Sequence, residues 1–347
     1  MKKKKTRYLR DLLCLCLGLS ISLGLGSCKS VDSGRRIVRI AHGQGETHPE
    51  HIGLLALEQY IEERLGDRFD IQIFPNEILG ATQKAIELTQ TGAIDFVVSG
   101  TANLETFARV YEVFSMPYLF SSEEAYYASM GDSDFMNPIY ESTDEAGFRV
   151  MTWYSAGTRN FYAKKPIQTP EDLKGMKIRV QQSPASVAMV QAFGAAAAPM
   201  SFGEVYTAIQ QGVIDGAENN ELALTQNKHG EVAKYFTENK HQMVPDMLVG
   251  NLRFLKELSD EELQIFKEAA ALSTEVELSE WDKQVEAARK TAREEMGVSF
   301  LSVNIPDFQE KVLPLHQSMM EKNPAIIPIY RHFQEIDRIE RGEVTAP

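Results

Sequence analysis

The chain has 347 residues, 43% of them hydrophobic, and carries 36 lysines and arginines against 49 aspartates and glutamates, a formal net charge of −13. That is enough chain and enough apolar material for two domains. The acidic balance excludes the basic face that nucleic-acid phosphates demand, so no nucleic-acid partner is expected.

MKKKKTRYLR is a basic n-region and LLCLCLGLSISLGLG an apolar h-region, with small residues at Gly26 and Ser27. This pattern predicts a signal peptide over residues 1–27. The apolar run falls short of the ~20 residues that span a bilayer. Leu25-Gly26-Ser27-Cys28 reads as a lipobox, which makes Cys28 the acylated residue and places the protein in the periplasm, held at a membrane. Residues 28–36 then form a lipidated tether. Cys14 and Cys16 leave with the signal, so no disulfide framework remains. Six bases and one acid leave too, which moves the formal charge from −13 to −18. Any positive pocket for an anion is therefore a local feature.

RIVRIAHG (36–43) alternates into a strand, and an amphipathic helix follows over roughly 49–65. A strand at 69–74 stops at Pro75, a helix runs over 82–91 to Gly92, and AIDFVVSG (93–100) reads as a buried strand. This is βαβαβ, the pattern of a parallel sheet flanked by helices. The second half repeats it: MKIRV, then a helix with Pro184 near its first turn, a short edge at 197–200, the helix GEVYTAIQQ and the strand VIDGAEN. Gln90-Thr91-Gly92-Ala93-Ile94-Asp95 and Gln210-Gln211-Gly212-Val213-Ile214-Asp215 occupy the same point of the two runs, 120 residues apart. The expectation is α/β, with two lobes that each hold a mostly parallel sheet. FRVMTWYSAG (148–157) is a crossing strand between them, and residues 260–297 form a helix long enough to span both. The boundaries expected are 37–156 with 245–284 for the first lobe, 157–244 with 285–337 for the second, and a tail over 338–347.

Enzyme signatures are mostly absent. There is no G-x-S-x-G and no P-loop, and Gly43-Gln44-Gly45 lacks the last glycine of a dinucleotide fingerprint, so no cofactor is expected. His42, Glu46, His48 and His51 lie within ten residues and are open to three readings: a metal site, a polar loop, or a loop in which His48 touches a ligand. Arginine is the stronger lead. Arg179 sits between Ile178 and Val180 with no acid in the stretch to pair with, and Arg159 follows the crossing strand. A guanidinium binds a carboxylate through two parallel hydrogen bonds. Asn219, at the carboxyl end of its strand, is placed where open α/β sheets bind ligands. A surface strand with turn-forming asparagines explains the same letters.

The run GTRNFYAKKPIQTPEDLKGMKIRV, with PMSFGEVYTAIQQGVIDGAENN, FPNEILG and MPYLF, resembles the solute-binding proteins of tripartite ATP-independent periplasmic (TRAP) transporters, DctP type, over nearly the whole mature chain. The resemblance implies a non-enzymatic periplasmic binding protein fold, two lobes joined by crossing strands and a spine helix that close on an organic acid. It implies that Arg179 makes the salt bridge to the ligand carboxylate. Arg159 then matches a second arginine near the ligand, Phe202 a residue packing beside it, and Asn219 the asparagine of the family's E-N motif. Thr82, Gly100 and Asn103 fall where members place their specificity groups, although Gly100 has no side chain to offer. Asn220 replaces a common proline, as in relatives resembling sugar-acid binders. The implied partner is a permease with a small and a large membrane subunit, and a monomer is expected.

The first-lobe loops offer Gln44, His48, Thr82, Gln83 and Asn103, neutral groups suited to hydroxyls, and no evident cation for a second carboxylate. A uronate or aldonate is therefore expected ahead of a C4-dicarboxylate. Phe202, Trp153 and Tyr154 are candidates to stack on a sugar ring. A metal-dependent periplasmic enzyme acting on sugar acids, and a module presenting ligand to a sensor kinase, are the readings from other classes.

Overall fold

The computed structural model describes residues 34–344. The expected signal peptide, Cys28 and nearly all of the expected tether lie outside the described residues.

Two sheets carry the chain, in the strand orders β2-β1-β3-β10-β4 and β11-β9-β5-β8-β6-β7. The first is built from β1 (Arg36–Ala41), β2 (Phe69–Phe74), β3 (Phe96–Gly100), β4 (Phe148–Tyr154) and β10 (Asp246–Asn251). The second holds β5 (Thr158–Ala163), β6 (Lys177–Val180), β7 (Ala196–Pro199), β8 (Gly216–Asn219), β9 (Tyr235–Met243) and β11 (Ser299–Ser302). Both sheets are mixed. β1 with β3, and β6 with β7 and β8, are parallel as the βαβ runs dictate. The chain crosses between sheets from β4 to β5 and back from β9 to β10, and these strands return antiparallel to their neighbours.

The internal repeat is exact at the level of hydrogen bonds. Gly92 and Gly212 end their helices with φ of +81° and +74°, a conformation that costs glycine little. Ile94 N–H then bonds Leu88 O and Ile214 N–H bonds Ala208 O, both at 3.3 Å. Asp95 takes the N–H of Arg39 at 2.9 Å, and Asp215 takes that of Lys177 at 2.7 Å. In each lobe the aspartate therefore pins the neighbouring parallel strand.

Helix α1 (Pro49–Leu65) packs its Leu54 and Leu57 with Phe266, Ala269 and Ala270 of α5 (Asp260–Glu294). Gly53 lets the two helices touch, since a Cβ there would stand 2.6 Å from Ser273 O. Helix α5 begins in a capping box between Ser259 and Glu262. Its 35 residues give ~50 Å. Thr274 bonds Thr152 in the first sheet, while Arg289 holds Glu221 and Glu238 in the second lobe.

The C-terminal boundary differs from the expected one. Phe308 and Val312 pack in the second lobe with Phe161, Ile178 and Phe193. Helix α6 (Ile327–Glu340) instead returns to the first, where Phe333 meets Phe114, Phe120 and Phe135. Its apolar face fits that aromatic cluster, so Met319, Ile326, Ile329 and Phe333 belong to the first-lobe core rather than to the second lobe. Among the described residues no helix is long and apolar enough to cross a membrane.

Candidate functional site

The cleft lies between the lobes, bordered by one end of each of β3, β4, β5, β6, β8 and β10.

On the second-lobe wall, alternation along β6 buries Ile178 and Val180 on one side and turns Arg179 to the cleft, where it is 3% exposed. Its Nε and NH2 both donate to Met200 O, at 3.1 and 2.9 Å, and among the described residues no carboxylate bonds it. Burial lowers its pKa, which means that the charge is held in a costly place. Its Cζ lies 5.6 Å from the Phe202 ring centroid. The ring of Phe202 is set edge-on to buried His229.

Arg159 is used differently. Its Nε and NH2 form a fork onto Glu218 at 2.5 and 2.9 Å, NH2 also reaches Glu218 O, and NH1 donates to Asn219 Oδ1 at 3.1 Å. Burial works against the Glu218 charge, but Arg159 and His241 outweigh it and hold the carboxyl at about 2. Asn219 Oδ1 also accepts Asn220 N–H. Asn220 Nδ2 reaches the same oxygen at 3.3 Å, and with its oxygen committed to three donors, Asn219 has its Nδ2 amide left for the cleft. Asn220 ties the hinge, since its Nδ2 donates to Ala156 O and its Oδ1 accepts Leu222 N–H.

On the first-lobe wall, His48 caps α1: its Nδ1 accepts Glu50 N–H at 3.2 Å. Burial lowers its pKa to about 3, so the ring is neutral, and with Nδ1 accepting, Nε2 carries the proton as a donor. Trp281 of the spine helix stands edge-on to it. Gly157, at φ +60°, passes so close to that indole that a Cβ would stand 2.7 Å from it. Gln44, Thr82 and Asn103 also line the cleft. Gln83 does not; it reaches across the lobes to Gln182 O at 3.5 Å, because its place in the first turn of α2 (Thr82–Thr91) points it at the opposite rim. Trp153 and Tyr154 are core residues, packed against Tyr126 and bonded to Ser273 respectively.

Within the histidine cluster, one hydrogen bond joins His42 to His51. His42 Nε2 lies 2.9 Å from His51 Nδ1, and His42 Nδ1 lies 3.1 Å from Glu50 Oε1. Glu46 is exposed, and among the described residues no group of three or more His, Cys, Asp or Glu is arranged to hold a metal.

Sequence reasoning missed Glu50, Asp246, Ser99, Gln181, Gln182 and Trp281, all in the cleft wall. Gly100 now has an explanation: a Cβ there would meet Gln181 Nε2 at 2.7 Å and Asp246 Oδ1 at 3.0 Å, so two distant residues fill the space that a side chain would take. Burial pushes Glu50 up to about 8 and raises Asp246 as well, with Glu50 adding to the latter.

Residues 40–323 match the bacterial extracellular solute-binding protein family 7, DctP. The Salmonella typhimurium protein YiiZ is 40% identical over 302 residues, 87% of this chain and 92% of that protein. A TRAP periplasmic solute-binding protein from Anaerococcus prevotii, solved with bound α/β-D-glucuronate, superposes with a TM-score of 0.86 at 48% identity, covering 88% of this chain and 99% of that one. Another from Sulfitobacter, solved with β-D-galacturonate, gives 0.80 at 30% identity, covering 88% and 100%.

Proposed function

A chain that belongs to the bacterial extracellular solute-binding proteins of family 7, as this one does, binds and delivers rather than converts, and we propose that it captures a sugar acid, a uronate or an aldonate, for a TRAP transporter. The observation that carries this reading is Arg179, a buried guanidinium that faces a cleft and, among the described residues, bonds a backbone carbonyl and no carboxylate. Its missing counter-ion is the ligand carboxylate, received by the free edge of the fork. The remaining NH1 proton of Arg159 and the Nδ2 of Asn219 complete the anion site. Gln44, His48, Thr82 and Asn103 meet hydroxyls across the cleft, and Phe202 packs beside the ligand. The uronates bound by the two solved relatives support the same class.

The filled protein then docks on a membrane permease made of a small and a large subunit. Acylation at Cys28 keeps it, as a monomer, at the membrane: two or more acyl chains are enough for stable attachment. Acyl labelling of the wild type and of Cys28→Ser tests the anchor, and equal labelling would dismiss it. Thermal shift tests the ligand. Glucuronate, galacturonate or gluconate should raise the melting temperature, and a ligand at 100-fold over its Kd adds ~2.7 kcal/mol. If succinate and malate act while the sugar acids do not, the sugar-acid assignment is wrong.

A further inference from the structure

Gln181 follows the last residue of β6, two positions beyond Arg179, and both residues line the cleft. Extended backbone turns positions two apart to one face, roughly 6–7 Å from each other. Gln181 belongs to the second lobe, yet its amide ends against the first. A Cβ built at Gly100, the last residue of β3, would stand 2.7 Å from Gln181 Nε2 and 3.0 Å from Asp246 Oδ1. The amide therefore stands in the space that a side chain at position 100 would take.

The backbone behind that amide is held by the first lobe. Ser183 N–H bonds Gln181 O at 2.8 Å, which closes a tight turn just after the strand. Ser183 Oγ and Ala185 N–H then donate to Oε1 of first-lobe Glu105, at 2.8 and 3.0 Å. Glu105 and Ser183 are both buried, so this anchor is shielded from water. Gln181 is thus a fixed part of the wall, and its neutral amide offers both N–H donors and a carbonyl acceptor.

In a uronate ring the carboxylate and the anomeric hydroxyl lie at opposite ends. With the carboxylate on Arg179, a ring laid along the cleft face of β6 brings its anomeric end to Gln181, because the two residues are spaced like the two ends of the ring. We propose that Gln181 is the end stop of the cleft: its amide hydrogen-bonds the anomeric hydroxyl of a uronate and leaves no room for a substituent on that oxygen. This deepens the sugar-acid reading and rests on it, since it confines the ligand to free uronates and excludes those joined through the anomeric oxygen to another group. A hydroxyl can donate to the amide oxygen or accept from its nitrogen. A glycosidic oxygen has no proton to give, and it carries its substituent into the space that the amide fills. Discrimination of this kind rests on a clash with the wrong ligand.

The test titrates the better bound of glucuronate and galacturonate beside its own α- and β-methyl glycosides, which differ from it by one methyl on the anomeric oxygen. Calorimetry is run on the full-length protein and on Gln181→Ala and Gln181→Ser. Wild type should bind the better methyl glycoside about 30-fold or more weakly than the free uronate, the effect of forcing an extra methyl into a packed site. Each variant should narrow that ratio about tenfold or more, chiefly by gaining the glycoside. A ratio within one protein is insensitive to partial loss of fold, and either variant alone suffices. A smaller preference in wild type would overturn the proposal, and so would a ratio that neither variant narrows. Binding of gluconate with neither uronate bound would sink this inference and leave the sugar-acid reading standing. Tight binding of succinate with no sugar acid bound would sink both.

Discussion

Arg159 on β5 and Glu218 on β8 lie side by side in the cleft wall, Nε to Oε2 at 2.5 Å and NH2 to Oε1 at 2.9 Å, the residues 4% and 1% exposed. The pair is an internal fixture that aims Asn219 and occupies all but one of the Arg159 guanidinium's protons. Removing one partner strands the other as a buried charge, at a cost of about 3–5 kcal/mol. Arg159→Ala should therefore lower the melting temperature of the empty protein by ~6 °C or more. Arg179→Ala, which strands no acid, should lower it far less. Scanning calorimetry of both variants without ligand checks the contrast.

The same pair has an acid limit. Glu218 is held at about 2 in the fold against an ordinary 4.5. A depressed carboxyl contributes stability that is present above pH 4.5 and is lost as pH falls towards 2. Denaturant unfolding between pH 5 and 2 should show this loss, on the order of 3 kcal/mol from this group. Glu218→Gln should remove that part of the slope.

Glu50 works in the opposite sense. Its folded pKa is raised to about 8, so the folded state holds a proton that the unfolded chain has released. Stability from this proton is full below pH 4.5 and declines as pH rises to about 8. Glu105, buried in the interlobe contact and pushed up to about 7, adds the same sign over a narrower window. The buried histidines pull the other way only up to about 6.5, so the decline should be visible between pH 6.5 and 8.5. Melting temperatures of the empty wild type across that range should fall, and Glu50→Gln should flatten the fall.

The proposed function makes Arg179 the ligand's counter-ion. Arg179→Ala should weaken a sugar acid by about 10²-fold or more, the cost of leaving a desolvated carboxylate unpaired. Arg179→Lys should weaken it as well, because an ammonium cannot supply two parallel donors while also holding Met200 O. Calorimetry that finds near-wild-type affinity in both variants would make Arg179 a strand residue and no more.

Periodicity made the fold legible where structure is local. The helix over 82–91 and the strand over 69–74 fall on their predicted residues, and the Gly-x-Ile-Asp repeat recurs as two matching hydrogen-bond sets, because helix end, turn and strand clamp lie within six residues of one another. Alternation placed Arg179 on the face opposite Ile178 and Val180. What was illegible is carried by distant contacts. Glu218 reads as one letter of a motif until β5 brings Arg159 beside it. Asp246 becomes a cleft residue only because β10 pairs with β3, some 146 residues away in sequence. Glu50 looks like any acid in a first helical turn. The return of α6 to the first lobe depends on an aromatic pocket assembled from Phe114, Phe120 and Phe135, which no local pattern announces.

Closure of the lobes has a visible latch. Glu77, on a turn where both Asn76 and Glu77 have positive φ, takes Thr82 N–H and hydroxyl on its Oε1 within the first lobe. Its Oε2 accepts Gly203 N–H at 3.2 Å from the second lobe, on the turn that carries Phe202. A Cβ at Gly203 would stand 2.8 Å from that oxygen, so a larger residue there would push the Glu77 carboxylate out of place. Strain held in such a turn is sustained by the contacts it makes. Because the group is partly exposed, the hydrogen bond contributes on the order of 1 kcal/mol. Glu77→Ala and Gly203→Ala should each weaken ligand binding about fivefold, through faster release, and leave Arg179 and its partners in place. Small-angle scattering should show the wild type contracting at saturating ligand, with both variants needing more ligand to reach the same contraction. A scattering profile that ligand leaves unchanged would rule out closure, and wild-type release rates in both variants would rule out this latch.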